Sequence, residues 1–287
     1  MTVESQKDIC YTIPKKLRSR VMKKDIFSME GKVVVFTGGC GNLGKPMVKA
    51  LLEYGAAVAV PSRTDKFDES FDEYKKADKL FFVTADLSET ESIKAAFAEI
   101  FEHYGKIDVL VNCAAYGGGA GGKSCEFRID KIPDETWLEG VDGSLNVIFR
   151  CTREIIPYFD KCGGGNIVNI GSMYGLIAPD FAIYGDDIPW NPPTYGAGKA
   201  GALQFTRYCA SALARRNIRV NSLTPGPFPN ITPSSNMEFI GRLSDKTMMK
   251  RTGKAEELSG ALLLLCSDAS TFMTGTNITV DGGMTAW

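Results

Sequence analysis

Short runs of β-branched and other apolar residues recur along the chain from Gly31 onward, each bounded by glycines or polar residues. The runs are continuous rather than alternating, which is typical of strands buried on both faces of a parallel sheet. We predict seven strands, at residues 32–36, 56–60, 80–84, 107–112, 166–172, 218–225 and 277–283.

Longer segments with a helical period separate these runs. We predict helices at residues 44–55, 88–105, 133–159, 194–216 and 255–267. Ser88, with Glu91 three residues on, has the spacing of a helix cap. Because strand and helix alternate, the pattern predicts an α/β fold whose parallel sheet is covered by helices on both faces. Residues 1–30 are polar and basic without a clear period, so we expect an N-terminal extension followed by one domain, residues 31–287.

The composition fits a globular protein with a sizeable core, since 44% of the 287 residues are apolar and 23% are charged. The net charge of -1 argues against a nucleic acid or an anionic membrane as partner. The basic run at residues 15–24 is a local exception that fits either a solvated arm or a binding patch.

The cysteines and the histidine narrow the chemistry. No pair of the eight cysteines has the C-x-x-C spacing of a zinc or redox site, so we expect free thiols in a reducing compartment. His103, the only histidine, lies near a predicted helix end, which argues against a histidine-rich metal site and against a His-dependent nucleophile triad. No apolar stretch approaches the ~20 residues of a membrane span. The start also lacks the apolar core of a secretory signal, so we expect a cytoplasmic protein.

A glycine-rich turn, TGGCGNLG at residues 37–44, joins the first predicted strand to the first predicted helix. Glycines let the backbone approach a pyrophosphate, and a helix N-terminus offers free N–H groups and a partial positive charge. The turn is therefore a candidate dinucleotide site, although an ordinary strand–helix turn would occupy the same position. Asparagine replaces an expected glycine, and we expect it to be tolerated because it accepts left-handed backbone angles. The candidate residues are Gly38, Gly41, Asn42, Leu43 and Gly44.

The end of the second predicted strand indicates which dinucleotide binds. An acidic residue there would bind the ribose 2′-hydroxyl of NAD. The chain has Ser62 and Arg63 instead, and a guanidinium beside a small hydroxyl suits a 2′-phosphate by charge and by forked hydrogen bonds. We therefore predict a preference for NADP(H), with NAD(H) as a second cofactor; the alternative is that Arg63 is a solvated loop residue.

Tyr195 and Lys199 form a Y-x-x-x-K pair near the start of a predicted helix, so both lie on one helix face. An ammonium near a phenol lowers the phenol pKa from about 10 towards the range useful for proton transfer. Ser172 ends the fifth predicted strand, where ligands of open parallel sheets bind, and its hydroxyl suits a substrate oxygen. Taken singly, the pair also fits a surface contact and the serine a turn or helix cap.

Together these features resemble the short-chain dehydrogenase/reductase family over about residues 31–283, in the order and spacing of their motifs. The resemblance implies a Rossmann-like, doubly wound sheet in a single NAD(P)-binding catalytic domain, a small carbonyl or alcohol substrate, and a homo-oligomer, either a tetramer or a dimer. It extends to Asp86 in TADL, to NCAA (112–115) and to PGP (225–227). The roles implied there are adenine contacts for Asp86 and Leu87, support of the sheet and the cofactor ribose for Asn112 and Ala114, and contacts beside the nicotinamide for Pro225 and Gly226.

One departure concerns the catalytic group. Family members place an asparagine of a proton relay on the long middle helix, and the matching position here is Ser144. Asn146 is close in sequence but lies about 200° away around a regular helix. The resemblance therefore implies that Ser144 carries the relay with water, or that the relay is altered.

The second departure is an insertion between Ser172 and Tyr195, residues 178–193. The insertion must emerge beside the predicted active site, with the rim loop 116–124 and the substrate loop 227–243 near the same opening. Aromatic faces with short polar groups suit a hydroxylated substrate, but they also suit a packed lid or an oligomer contact. The residues concerned are Phe181, Tyr184, Trp190, Asp186, Asp187 and Asn191.

The sequence therefore predicts an NADP(H)-dependent oxidoreductase that interconverts a secondary alcohol and a ketone on a sugar, sugar acid or polyol. A hydrophobic ring alcohol such as a steroid is the alternative substrate. A cofactor sensor without turnover is the alternative outside enzymes.

Overall fold

The computed structural model describes residues 25–116, 129–185 and 190–287. The predicted apolar runs form one parallel sheet of seven strands within these residues, in the order β3-β2-β1-β4-β5-β6-β7. The prediction of a doubly wound parallel sheet is confirmed. The strands are β1 (Val33–Thr37), β2 (Ala57–Ser62), β3 (Leu80–Thr84), β4 (Val109–Asn112), β5 (Gly165–Ile170), β6 (Ile218–Pro225) and β7 (Asn277–Val280).

Helices fill the connections between the strands. They are α1 (Gly44–Glu53), α2 (Asp72–Lys76), α3 (Thr90–Tyr104), α4 (Asp134–Val141), α5 (Val147–Lys161), α6 (Pro193–Leu213), α7 (Met237–Asp245) and α8 (Ser259–Cys266). The sequence pattern did not predict α2 and α7. Ser88 is not the cap that we expected, because α3 begins after Glu89 and the Ser88 hydroxyl donates to Asp86 instead.

The long middle helix is interrupted where we predicted a continuous element over residues 133–159. One turn of π-helix, Asp142–Asn146, separates α4 from α5. Gly143 lies in this turn, and a Cβ on it would be 1.9 Å from the Tyr116 carbonyl oxygen. The Tyr116 N–H donates to the Gly143 carbonyl at 3.2 Å, so the turn is held against the segment that follows β4.

The core lies on both faces of the sheet, and β1 shows why. Val34 and Phe36 belong to the apolar cluster beneath α1 and α8, whereas Val35 belongs to the cluster beneath α3, α5 and α6. Alternate side chains of one strand thus enter two cores, as continuous apolar strands require.

The order of the strands reverses at β1, which pairs with β2 on one side and with β4 on the other. In open α/β sheets the carboxyl ends of the strands at such a reversal leave a crevice between the helices of the two faces. The predicted site residues follow these strand ends.

The segment that precedes β1 joins the core. Met29 is fully buried, and its N–H donates to the Tyr54 carbonyl at 2.8 Å. Residues on the N-terminal side of Gly31 therefore pack on the domain, and the division at that residue stays a prediction. The basic run at residues 15–24 lies outside the described residues. None of the helices in the described ranges is long and apolar enough to cross a membrane.

Candidate active site

A cleft of about 940 Å³ opens at the carboxyl ends of the strands. It brings together fifteen of the seventeen predicted site residues; Asn112 and Ser144 do not line it. The lining residues are Gly38, Gly41, Asn42, Leu43, Gly44, Ser62, Arg63, Asp86, Leu87, Ala114, Ser172, Tyr195, Lys199, Pro225 and Gly226.

Two glycines of the turn pack too closely against backbone to be replaced by residues with side chains. Gly38 has a φ of +72°, and a Cβ on it would lie 2.7 Å from the Ala114 backbone nitrogen. A Cβ on Gly44 would lie 2.2 Å from the Gly38 carbonyl oxygen. The first turn of α1 carries no acidic residue, so its N-terminus keeps its partial positive charge towards the cleft.

Our explanation for Asn42 is corrected by the structure. Asn42 is not among the non-glycine residues with positive φ in the described chain. It is exposed and lines the cleft, so the turn does not need left-handed angles at this residue. Gly38 provides the left-handed conformation instead.

Two polar groups define the end of the cleft at β2 and β3. Arg63 is exposed directly after β2, and its charge contributes to holding the pKa of Asp86 below its usual value. The main cause of that lowering is the hydrogen bonding of Ser88, whose backbone N–H and hydroxyl donate to Asp86 Oδ1 at 2.9 and 2.7 Å. Asp86 therefore stays an anion that shapes its own turn.

Asn112 lies beneath the cleft, in the sheet. Its Nδ2 donates to Asn169 Oδ1 at 2.9 Å, and Asn169 Nδ2 donates to Thr206 Oγ1 at 2.9 Å. This chain of side chains joins β4, β5 and α6. The backbone N–H of Ala114 donates to Thr37 Oγ1 at 3.3 Å, and this hydrogen bond holds the segment after β4 against the end of β1.

Ser172, Tyr195 and Lys199 meet in the centre of the cleft. Ser172 lies two residues after the end of β5, where its Oγ accepts from the Tyr174 N–H at 3.2 Å, as a turn-capping serine does. The same hydroxyl lies close enough to the Tyr195 phenol to influence its pKa. Lys199 Nζ donates to the Ile170 carbonyl at 2.7 Å and lies 5.8 Å from the centre of the Tyr195 ring. The sheet thus fixes the lysine, and α6 presents the lysine and the phenol on one face.

The pKa values differ from the expectation. Burial raises the pKa of Tyr195, and the nearby Ser172 hydroxyl opposes that rise. Burial lowers the pKa of Lys199 to about 8. We expected the ammonium to lower the phenol pKa, but desolvation of the enclosed phenol is the larger effect here. Tyr195 is therefore a neutral phenol around pH 7.

The structure does not bring Ser144 into the cleft. Its Oγ donates to the Gly140 carbonyl at 2.6 Å and lies 3.4 Å from the Thr194 carbonyl. A Cβ on Gly198 would be 1.9 Å from this oxygen, so the serine is wedged between α4 and α6. Asn146 does not line the cleft either, and its Nδ2 donates to Asp142 Oδ1 at 3.0 Å. Because its hydroxyl is engaged with backbone carbonyls, Ser144 holds α4 against α6 rather than contacting a ligand.

The insertion packs against α7 and also forms a wall of the cleft. Ile183 and Tyr184 form a small buried cluster with Ile240 and Leu243 of α7. Tyr184, Trp190 and Asn191 line the cleft, and the Phe181 ring lies 4.4 Å from that of Trp190. The insertion is therefore both a packed segment and a wall of the cleft. Asp186, Asp187 and the loop 117–124 lie outside the described residues.

The sequence analysis missed several lining residues. Tyr174 lies two residues after Ser172, and Cys40 and Cys113 line the cofactor end. Phe239 and Leu243 reach the cleft from α7. For Tyr174, the only signal was its closeness to Ser172. The residues of α7 required knowledge of what that helix packs against.

His103 is remote from the cleft, as expected. It stacks on Phe81 at 4.1 Å and pairs with Asp78 at 2.9 Å near the end of α3. No cluster of metal-binding side chains is found among the residues of the three described ranges.

Comparisons with known proteins agree with this geometry. A family model described as enoyl-(acyl carrier protein) reductase matches residues 40–285. The 3-oxoacyl-(acyl-carrier-protein) reductase of Thermotoga maritima is 31% identical over 265 residues, covering 89% of this chain and 98% of the relative. The NADH-dependent L-xylulose reductase of Ambrosiozyma monospora is 30% identical over 278 residues, covering 91% and 97%. The crystal structure of a gluconate 5-dehydrogenase from Burkholderia cenocepacia, in complex with NADP and tartrate, superposes with a TM-score of 0.79 at 26% identity, covering 92% and 98%.

Proposed function

The chain belongs to the short-chain dehydrogenase/reductase family of NAD(P)-dependent oxidoreductases acting on CH–OH groups, and from this premise we propose that it interconverts a ketone and a secondary alcohol of a sugar, sugar acid or polyol with NADP(H). The observation that carries the proposal is the meeting of Ser172, Tyr195 and Lys199 in one cleft that begins at the glycine turn.

The residues of the cleft fit a dinucleotide. The glycine turn lines the cleft at the N-terminus of α1, whose free N–H groups and partial positive charge suit a pyrophosphate. When bound, the nicotinamide supplies the hydride that reduces the carbonyl carbon, or accepts it in the reverse direction. In our proposal Ser62 and Arg63 hold the 2′-phosphate. The other holding residues are Gly38, Gly41, Asn42, Leu43 and Gly44 at the pyrophosphate, Asp86 and Leu87 at the adenine, Ala114 and Lys199 at the ribose, and Pro225 and Gly226 at the nicotinamide.

The catalytic steps that we assign to this chain concern the substrate oxygen. Ser172 holds the carbonyl oxygen, and Tyr195 gives that oxygen its proton as the alcohol forms. The raised pKa of Tyr195 keeps the phenol protonated for this direction. Lys199, fixed by the Ile170 carbonyl, places positive charge beneath the ring and disperses the negative charge left on the phenol oxygen.

Oxidation of NADPH with a panel of ketoses, keto-acids and ketosteroids tests the proposal. We expect turnover with ketoses or sugar keto-acids, and we expect Tyr195→Phe to reduce kcat by about 100- to 10,000-fold, because proton transfer is lost. The dissociation constant of NADPH should stay the same in that variant.

Other outcomes separate the alternatives. Turnover of ketosteroids alone would assign a hydrophobic ring alcohol. Tight NADPH binding without turnover of any member would indicate a sensor, and full activity of Tyr195→Phe would refute the role of the phenol.

A further inference from the structure

Two phenols lie side by side in the wall of the cleft opposite the cofactor end. Tyr174 and Tyr184 are both buried, both line the cleft, and their hydroxyl oxygens are 2.9 Å apart. Tyr174 packs in a small cluster with Met173, Met284 and Tyr195, which places it beside the proposed proton donor. Tyr184 comes from the insertion and is fixed by α7. The pair thus joins the reaction centre to the insertion.

One of the two phenol O–H groups in this pair has no hydrogen-bond acceptor within the described ranges. Each phenol carries one proton, and the bond between the two oxygens uses one of them, whichever phenol donates. The backbone N–H of Asn191 opposes the rise of the Tyr184 pKa, and an N–H offers a donor to the pair but no acceptor. Among the described residues no further acceptor is found for the remaining O–H. A buried donor without an acceptor is costly, so a ligand acceptor would be favoured there.

The same wall also contains a hydrogen-bond acceptor without a donor from any described residue. Asn191 lines the cleft, and its buried Oδ1 has no hydrogen-bond partner within the described part of the chain. A hydroxyl both accepts and donates, and so it can satisfy the phenol and the amide together. A carboxylate only accepts, so it leaves the Asn191 oxygen unsatisfied.

Charge points to the same class of ligand. Burial raises the pKa values of Tyr174 and Tyr184, so both phenols stay neutral. Of the charged lining residues in the described ranges, Arg63, Lys66 and Asp86 lie at the adenosine end, and only Lys199 lies near the phenols. The wall therefore contains no described cation that could pair with an acidic substrate.

The apolar part of the wall suits the carbon skeleton of such a ligand. Trp190 and Phe239 line the cleft; the Trp190 ring packs on that of Phe181 at 4.4 Å, and the Phe239 ring lies 5.7 Å from that of Tyr184. Binding sites for small molecules combine such apolar faces with a few fixed polar groups that orient the ligand.

We propose that Tyr174, Tyr184 and Asn191 form a subsite for a hydroxyl group near the reacting carbon. Because no described cation faces this wall apart from Lys199, we propose further that the substrate is a neutral hydroxyketone, such as a ketose, or the corresponding polyol. The inference rests on the proposed function and narrows it, because it excludes sugar acids as preferred substrates. Tyr174 and Tyr184 determine specificity in this proposal, and proton transfer stays with Tyr195.

Steady-state kinetics with two pairs of substrates test the subsite. The first pair is 1-hydroxy-2-butanone and 2-butanone, which differ by one hydroxyl. The second pair is L-sorbose and 5-ketogluconate, which differ by a carboxylate. We expect the wild type to prefer the first member of each pair in kcat/KM, by about 10-fold or more for the hydroxyl pair.

Tyr184→Phe and Tyr174→Phe keep the packed rings and remove one oxygen each. We expect each to lower the preference for 1-hydroxy-2-butanone over 2-butanone in kcat/KM by about 10-fold, mainly through a higher KM for the hydroxyketone. Tyr54→Phe, at the end of α1, is the matched control and should keep the wild-type preference.

Three results would overturn the proposal in distinguishable ways. Equal losses for both ketones in the phenylalanine variants would indicate a purely structural role. A preference for 5-ketogluconate over L-sorbose would refute the restriction to neutral substrates and leave the proposed function standing. A wild type that reduces no ketose, keto-acid or simple ketone would refute the proposed function and the subsite together.

Discussion

Arg63 is the residue on which the choice of cofactor depends in our proposal. It is exposed directly after β2, and its field reaches Asp86. We expect Arg63→Glu to weaken NADPH binding by about 10- to 100-fold and to leave NADH binding within a few-fold, because a charge-assisted hydrogen bond to the 2′-phosphate is lost. Isothermal titration with both cofactors measures this. Arg215→Glu, at an exposed position after α6, is the control, and an unchanged NADPH affinity in Arg63→Glu would assign cofactor selection elsewhere.

Lys199 should give the reaction a characteristic pH dependence. Burial lowers its pKa to about 8, so its ammonium form is lost as pH rises through that value. The pKa of Tyr195 is raised, so the phenol is still protonated there. We expect kcat/KM for ketone reduction to be high at pH 7 and to fall as pH rises through about 8. Initial rates from pH 6 to pH 10 measure the profile, and a flat profile would contradict the role of the ammonium.

At the scale of elements, α7 depends on the insertion for its position. Arg242 Nε donates to the Ile183 carbonyl at 2.7 Å, and Lys246 pairs with Asp180 at 2.6 Å. The Ile183 side chain is almost completely buried against α7.

Ile183→Ala should therefore loosen this helix. Truncating a buried isoleucine lowers stability by about 2–5 kcal/mol, and here the contact between the insertion and α7 should lose most of that stabilisation. We expect faster proteolytic cleavage near α7 and a higher KM for the ketone. Peptide mapping after limited proteolysis measures the first effect. Ile129→Ala, at an exposed position, should behave as the wild type, and an unchanged cleavage rate in Ile183→Ala would show that α7 is held by other contacts.

The same contact explains what the sequence could and could not predict. The strands and the long helices were predictable because their apolar runs are long and their periods are regular. Helix α7 was not, because its apolar side meets Ile183 and Tyr184, which lie far away in sequence. The π-helical turn was missed because it depends on the close approach of Tyr116 to Gly143.

Some residues of the site could likewise be predicted from the sequence, and others could not. Residues that follow strand ends, such as Ser172, could be placed because the topology of a parallel sheet fixes where they emerge. Ser144 could not, because the direction of its hydroxyl depends on how α4 packs on α6. Tyr174 could not be predicted as a site residue, because its interest depends on the contact of its hydroxyl with that of Tyr184.

At the scale of the whole molecule, α5 and α6 present an exposed aromatic face. Phe149 is 42% exposed and Tyr208 is 69% exposed, and Phe149 contacts Phe205 on the neighbouring helix. We expect a homo-oligomer, a dimer or a tetramer, in which this face is covered. Light scattering should give a mass of two or four times 31.2 kDa. Phe149→Glu combined with Tyr208→Glu should lower that mass, whereas Tyr54→Glu should not. A monomeric wild type, or an unchanged mass in the double variant, would contradict the role of this face.

The two ends of the cleft have different origins in the chain. The sheet edge and the glycine turn form one end, and the insertion with α7 forms the other. Most residues of the second end contribute little to the two large cores, so mutations there can accumulate without threatening the fold. A lineage with this architecture can therefore acquire new substrates while inheriting its redox chemistry unchanged.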